Sequence, residues 1–392
     1  MKNCIITPTF SGHFKYITDY LKSFQLNASP RDNFEICFTI SRGESACFQK
    51  IISKFPDLNI RVLFFEDILA HFNIKYTPDE LLKKYEKFSF QTLKKFYTML
   101  YLGADYRFLV LDSESVLLNK CNINELFNKF FNAPFISVSG LEKRIISPFV
   151  VDVKTNTGFI LQSDKIQNLW FLENFVWFYD YKILTDMFQK HGLPFDMVDA
   201  VYKNAYGKHN IAVFEIDLYH SFIYLHHKKY KYNVINADEM LNKIPDANNY
   251  KFALFKKFNG GCGLLEHATL FLTHDNVKPL ASVFKENGFS IIRCEYTIPS
   301  NYKLQKMFLD IVQPDILAAA QDHCFGVKHT LKQRLLTAVR NTNFSKIKSH
   351  IKLFLQPIGH IFQWLYQPVY LIFSIVIFVI KFIKNIILLY KK

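Results

Sequence analysis

The chain has 392 residues, half of them hydrophobic and 21% charged, with only 13 Gly and 13 Pro. This composition excludes a disordered, collagen-like or low-complexity chain, and the length allows one large domain or two ordinary ones. The net charge of +14 is unevenly spread: eleven Lys/Arg and no Asp/Glu fall in residues 325–392, leaving 37 basic against 34 acidic residues in 1–324. A near-neutral body argues against a nucleic-acid groove, and the basic tail suits an anionic surface.

In chain order, Cys4–Pro8 reads as a strand, and His13–Leu26 as a helix with apolar residues at Phe14, Ile17, Leu21 and Phe24. Phe34–Ile40 is strand-like, Ser45–Phe55 helical, and Arg61–Phe65 a third strand. Thr77 precedes Pro78 and predicts a capped helix over Pro78–Leu102. Arg107–Leu111 is a buried-type strand, followed by a helix at Asn124–Phe131 and a strand at Phe135–Val138. This alternation predicts an α/β fold: a Rossmann-type, mostly parallel sheet flanked by helices, with ligands beyond the carboxyl ends of the strands. Further on, Gly158–Leu161 and Ala212–Ile216 read as strands, Lys165–Gln189 as aromatic helices and Pro194–Tyr206 as a helix. Ala268–Thr273, Lys278–Asn287 and Ser290–Cys294 read as strand, helix, strand. Seven scattered cysteines without a CxxC pair suggest neither a disulfide framework nor a zinc site. With a start too short for a signal-peptide core, they predict a cytoplasmic compartment.

The stretch DYRFLVLDSESVLL carries the most chemistry. Asp112-Ser113-Glu114 follows an apolar strand, where two carboxylates can share one loop. Hard oxygen ligands of this kind suit Mg²⁺ or Mn²⁺ shared with a diphosphate, whose departing charge the ion neutralises. Lys94 and Lys95 lie on the preceding helix, and one of them could reach a phosphate; a solvated helix face is the other reading.

The opening IITPTF with HFKYITDYLKSF, and the block LKKFYTMLYLGADYRFLVLDSES, resemble GT-A-type nucleotide-sugar glycosyltransferases over about residues 1–230. The third position of the acidic motif is Glu rather than Asp. The resemblance implies that Thr7, Pro8 and Thr9 line the donor nucleotide with Ser113 nearby, and that Asp112 and Glu114 hold the metal–diphosphate. It also places Asn156, Thr157 and Gly158 on a small-residue strand shaping the sugar pocket, against the plainer reading of a turn. Asp196 and Asp199 share a helix face after Pro194, and either could take a proton from an acceptor hydroxyl; helix-terminal capping is the alternative. His274, beside Asp275, is a candidate late metal ligand. The implied domains are 1–324, a transferase with a nucleotide-sugar half (1–140) and an acceptor half (141–324), and a tail, 325–392.

In that tail, apolar residues recur at helical spacing, and twelve residues between Pro368 and Lys381 include only Ser374 as a polar one. A span needs about 20 apolar residues. In-plane or re-entrant attachment to the cytoplasmic face of the inner membrane is therefore expected ahead of a span. The expected function is transfer of a sugar, a hexosyl group above all, from a nucleotide-diphosphate donor to a saccharide acceptor of a lipid-linked or cell-surface glycan such as lipopolysaccharide. No nucleic-acid partner is expected. The rival is a membrane-surface scaffold that keeps a degenerate transferase fold.

Overall fold

The computed structural model describes residues 1–29, 33–113, 115–117, 120–141, 148–171, 177–204 and 212–236, with short pieces at 264–265, 277–278, 291–293 and 307. The first half runs β1 (Lys2–Pro8), α1 (Phe14–Asn27), β2 (Phe34–Ile40), α2 (Ser45–Ile52), β3 (Ile60–Phe64), α3 (Phe65–His71), α4 (Pro78–Leu102), β4 (Tyr106–Val110) and β5 (Ser115–Leu117). Then follow α5 (Ile123–Asn132), β6 (Phe135–Gly140), α6 (Pro148–Leu161), β7 (Leu169–Trp170), β8 (Phe178–Asp180), α7 (Tyr181–His191), α8 (Pro194–Asn204), α9 (Glu215–Leu225), α10 (His227–Tyr230), β9 (Asn233–Asn236), β10 (Leu264–Leu265) and β11 (Ile291–Arg293).

The main sheet has the order β3-β2-β1-β4-β8. Its first four strands are parallel, and β8 closes the edge antiparallel to β4. Strand β1 is buried from Asn3 to Thr7, as expected of a central parallel strand covered on both faces. The predicted stripe of α1 (Phe14, Ile17, Leu21, Phe24) is wholly buried. It packs aromatic on aromatic with the sheet and α2: Tyr20 meets Phe38, and Phe38 meets Phe48. Each such ring contributes roughly 1.5–3 kcal/mol through burial.

Helix α4 begins as predicted. The Thr77 hydroxyl accepts from the Glu80 N–H, and the Glu80 carboxylate accepts from the Thr77 N–H at 2.8 Å. The helix then kinks at Glu86, whose φ of 57° and ψ of 180° belong to a region almost restricted to glycine. The freed Tyr85 carbonyl accepts from the Tyr202 hydroxyl on α8. Beyond the kink α4 packs on β1 and β4.

Three readings are corrected. Gly158–Leu161 is the last turn of α6, not a strand. Ala212–Phe214 is irregular and Glu215 opens α9; this buried backbone is satisfied by side chains of α4, with Val213 N–H donating to Ser89 Oγ (3.0 Å) and Thr92 Oγ1 donating to the Val213 carbonyl (2.7 Å). In Lys165–Gln189, expected as aromatic helices, two short strands precede α7, which supplies the helical part. Helix α3 was not expected. Strand β11 lies within the expected Ser290–Cys294 and runs antiparallel to β5; Ala268–Thr273 and most of Lys278–Asn287 lie outside the described residues. So does the tail, 325–392. Among the described residues no helix is long and apolar enough to cross a membrane.

Candidate active site at the sheet edge

The strand order reverses between β1 and β4, and in open sheets of this kind the crevice that takes ligands lies at such a reversal, outside the carboxyl ends of the two strands. Thr9 leaves β1 on one side; Asp112 and Ser113 leave β4 on the other. The two loops are joined by a hydrogen bond of 2.9 Å between His13 Nδ1 and Ser113 Oγ. The loop after β1 is also tied to its neighbours. Ser11 N–H donates to Glu44, which closes the turn after β2, and Arg42 N–H donates to both carboxylate oxygens of Glu66 on α3. Phe10 stands 43% exposed above this loop, 4.5 Å from the His13 ring. Its ring lies directly on Gly12, where a Cβ would come within 2.4 Å of it, so only glycine permits the contact.

Two adjacent lysines of α4 reach the crevice from beneath. Lys94 is buried and donates to the Thr9 carbonyl at 2.8 Å. Burial pushes its ammonium down to about 8, against the attraction of Glu44 and Glu66. Beside it the Thr9 hydroxyl is buried, without a hydrogen-bond partner among the described residues. A buried cation bonded to a carbonyl and an unsatisfied hydroxyl together favour an incoming anion or acceptor oxygen. Lys95 is also buried. It pairs with Glu215 of α9, lies 4.6 Å from the centre of the Trp177 ring, and stands 3.6 Å from Asp112 Oδ1. Asp112 remains 21% exposed, open to the crevice.

Of the residues expected here, the fold therefore brings together Thr9, Lys94, Lys95, Asp112 and Ser113. Pro8 is partly exposed at the same edge. Thr7 turns inward, fully buried, with its hydroxyl 2.9 Å from that of Tyr20. Glu114 and His274 lie outside the described residues. Asn156 and Thr157 are on a helix and serve the interior: Asn156 donates to the Ala212 carbonyl (2.8 Å), and Thr157 donates to Asp217 (2.7 Å). Gly158 and Asp196 line a separate cleft, none of whose lining residues is Asp112, Thr9, Lys94 or Lys95.

Asp199 is not poised as a base. It accepts from Lys84 (2.8 Å) and the Tyr85 hydroxyl (2.6 Å) on α4 and pairs with Lys203 (2.6 Å). Burial alone would raise its carboxyl; the bonds from Lys203, Lys84 and Tyr85 outweigh this and hold it well below the usual carboxylate range. A carboxylate whose folded pKa is depressed stabilises the fold above its unfolded value near 4, and that stability is lost as pH falls through the folded value. Asp199→Asn should accordingly lower stability at neutral pH and narrow its gap from wild type toward pH 2, followed by urea unfolding across pH.

His13, Trp177 and Glu215 were missed. His13 follows the first strand at the edge where ligands bind, which was a usable signal. Glu215 was concealed by its place in an apolar run.

As to a metal, Asp112 has the hard-oxygen chemistry for Mg²⁺ or Mn²⁺. Among the described residues, however, no three His, Cys, Asp or Glu side chains converge to hold an ion. The described donor set, one carboxylate with an ammonium beside it, does not fit a metal site by itself.

No protein-family model and no curated protein matches the chain. Among solved structures it is similar to apo mouse xyloside xylosyltransferase 1, at 9% identity over 75% of this chain and 98% of that one, with a TM-score of 0.40. It is similar also to the galactosyltransferase LgtC in complex with donor and acceptor sugar analogues, at 11% identity over 81% and 99% of the two chains, with a TM-score of 0.39. A third is the bifunctional glycosyltransferase WbbM, at 13% identity over 83% of this chain and 52% of that one, with a TM-score of 0.39.

Proposed function

We propose that the chain is a GT-A-type glycosyltransferase, moving a hexosyl group from a nucleotide-diphosphate donor to a saccharide acceptor of a lipid-linked or cell-surface glycan. The observation that carries this reading is the crevice between β1 and β4, where Lys94 with the orphan Thr9 hydroxyl faces Lys95 with Asp112. Two ammonium groups from α4, one beside Thr9 and one beside Asp112, suit a diphosphate lying across the strand ends. Phe10, exposed over the β1 loop, offers an aromatic face to the base.

In the transfer, the acceptor hydroxyl oxygen bonds to the anomeric carbon as the bond from the sugar to the diphosphate breaks; the electron pair leaves with the diphosphate, and the hydroxyl proton passes to the departing diphosphate or to water. Lys95 stands where that charge grows. Glu215 and Trp177 fix it from behind, so little reorganisation is required as charge develops. Asp112 orients the ammonium from the crevice side. Metal dependence rests on Asp112 acting with Glu114, and no step here is routed through an ion. Residues 1–140 and 141–324 would form the donor and acceptor halves. The tail, with eleven positive charges and an apolar run, would hold the enzyme on an anionic cytoplasmic leaflet.

The direct test is thermal stabilisation by a panel of nucleotide-sugars, with and without Mn²⁺, followed by donor hydrolysis, since a ligand of the folded state raises apparent stability. One nucleotide-sugar should stabilise and be hydrolysed. Absence of both across the panel would favour the scaffold reading. Binding should also weaken as pH rises through about 8, where Lys94 loses its proton. Lys94→Met should weaken binding at pH 7 and abolish that pH dependence, measured by calorimetric titration of the stabilising donor.

A further inference from the structure

A second cleft lies where the end of α6 and the turn following it face α8. It encloses about 730 Å³, within the ~300–1,000 Å³ usual for small-molecule sites. Its wall chemistry is specific. Among the described residues no Lys or Arg lines it, while Asp164 and Asp196 both do. An anion such as a phosphate or nucleotide would be repelled by these two carboxylates. His191 adds no positive charge near neutral pH, because burial, with Lys190 nearby, holds its imidazole below the ordinary range. The described residues around it also do not converge as metal ligands.

The wall is instead set up for hydroxyl groups. Gln167 donates to Asp164 at 3.2 Å, which aligns an amide and a carboxylate side by side. The Gln167 side chain rests on Gly158, where a Cβ would stand 3.2 Å from its Nε2. A side chain at that position would push the amide away. Phe159 is 44% exposed and lines the same cleft, presenting an apolar face beside the polar pair. Paired acceptors for neighbouring hydroxyls, next to a ring that can cover C–H groups, match one class of ligand.

We infer that this cleft binds a neutral oligosaccharide, through Asp164, Gln167 and Phe159, at a site separate from the crevice between β1 and β4. Its service as a distal subsite for the acceptor glycan rests on the transferase reading; the binding does not. A cleft of this kind holds the acceptor chain away from the reacting end, so affinity is gained without crowding the donor.

The test uses full-length protein without donor. Maltohexaose, cellohexaose and chitohexaose are titrated by calorimetry and by saturation-transfer NMR, with hexalysine as a cationic rival. At least one hexasaccharide should bind. Asp164→Ala should weaken it roughly tenfold or more, as loss of a hydrogen bond to a charged acceptor does, and Phe159→Ala should remove saturation transfer to the sugar ring protons. Both variants should keep wild-type unfolding midpoints and donor hydrolysis. No hexasaccharide binding, binding undisturbed in both variants, or preference for hexalysine would each overturn the assignment. Oligosaccharide binding without donor hydrolysis in wild type would overturn the transferase reading alone; hydrolysis without binding would overturn the cleft alone.

Discussion

Asp112→Asn is expected to reduce sugar transfer by up to about 10²-fold, the scale of a small misplacement of a catalytic group, because Lys95 loses the carboxylate that orients it from the crevice side, while the fold is left intact. Asp112 follows a buried strand at the point where the sheet order reverses, and its carboxylate is open to the crevice. Its loss does not strand Lys95, because Glu215 pairs with that ammonium from the interior. The fall should therefore appear in turnover and not in the unfolding midpoint. Asp112→Glu keeps the charge and displaces it, so it should retain more activity than Asp112→Asn. Single-turnover transfer and donor titration on both variants separate chemistry from binding. Wild-type turnover in Asp112→Asn would remove this residue from the mechanism.

The largest effect on stability is expected away from the crevice. Lys154 on α6 and Asp217 on α9 form an ion pair of 3.0 Å, with side chains 3% and 0% exposed. Thr157 donates to the same carboxylate at 2.7 Å, and the ammonium reaches Ser221 Oγ at 3.3 Å. Burial drives the Lys154 ammonium down and the Asp217 carboxyl up, each against the attraction of its partner. Removing one member leaves a charge buried without its counter-ion, at about 3–5 kcal/mol. Lys154→Met and Asp217→Leu should each lower stability on that scale. The double variant should recover most of the loss, because an apolar pair of similar volume removes both desolvation penalties. Urea unfolding of the three variants measures the coupling. Additive single losses in the double variant would show that the pair acts independently.

Much of the first 140 residues was legible because the strands there are short apolar runs punctuated by helices of clear period. Phe34–Ile40 coincides with its prediction, β1 starts two residues earlier than predicted and ends with it, and β3 and β4 are each shifted by one residue. Asp112 was legible for the same reason: a carboxylate just past a buried strand stands at an edge. The residues after 140 were harder. Gly158-Phe159-Ile160-Leu161 is too short for periodicity to separate strand from helix. Ala212–Phe214 looks like a strand because it is apolar, yet its backbone is bonded to side chains of α4 rather than to a neighbouring strand. Asp199 illustrates the limit for sites. Its partners Lys84 and Tyr85 lie more than one hundred residues upstream, and they convert a plausible base into a clamped carboxylate. Thr157 was read as lining a pocket, but Asp217, sixty positions away, claims its hydroxyl.

The pairing of β1 with β4 also sets a timetable for the molecule. Lys2 to Ile6 align with Tyr106 to Val110, and the His13–Ser113 bond closes a loop of 100 residues. Contacts of such separation form late, since the loop entropy is lost before they are made. A chain emerging from the ribosome can pair β1, β2 and β3 while β4 is still unsynthesised. At that stage β1 is an edge strand, and the crevice beside it has only one wall. No donor-like ligand can assist the early steps; it can act only on the nearly finished fold. A nascent chain arrested before Tyr106 should thus be blind to a nucleotide-sugar that protects the completed protein.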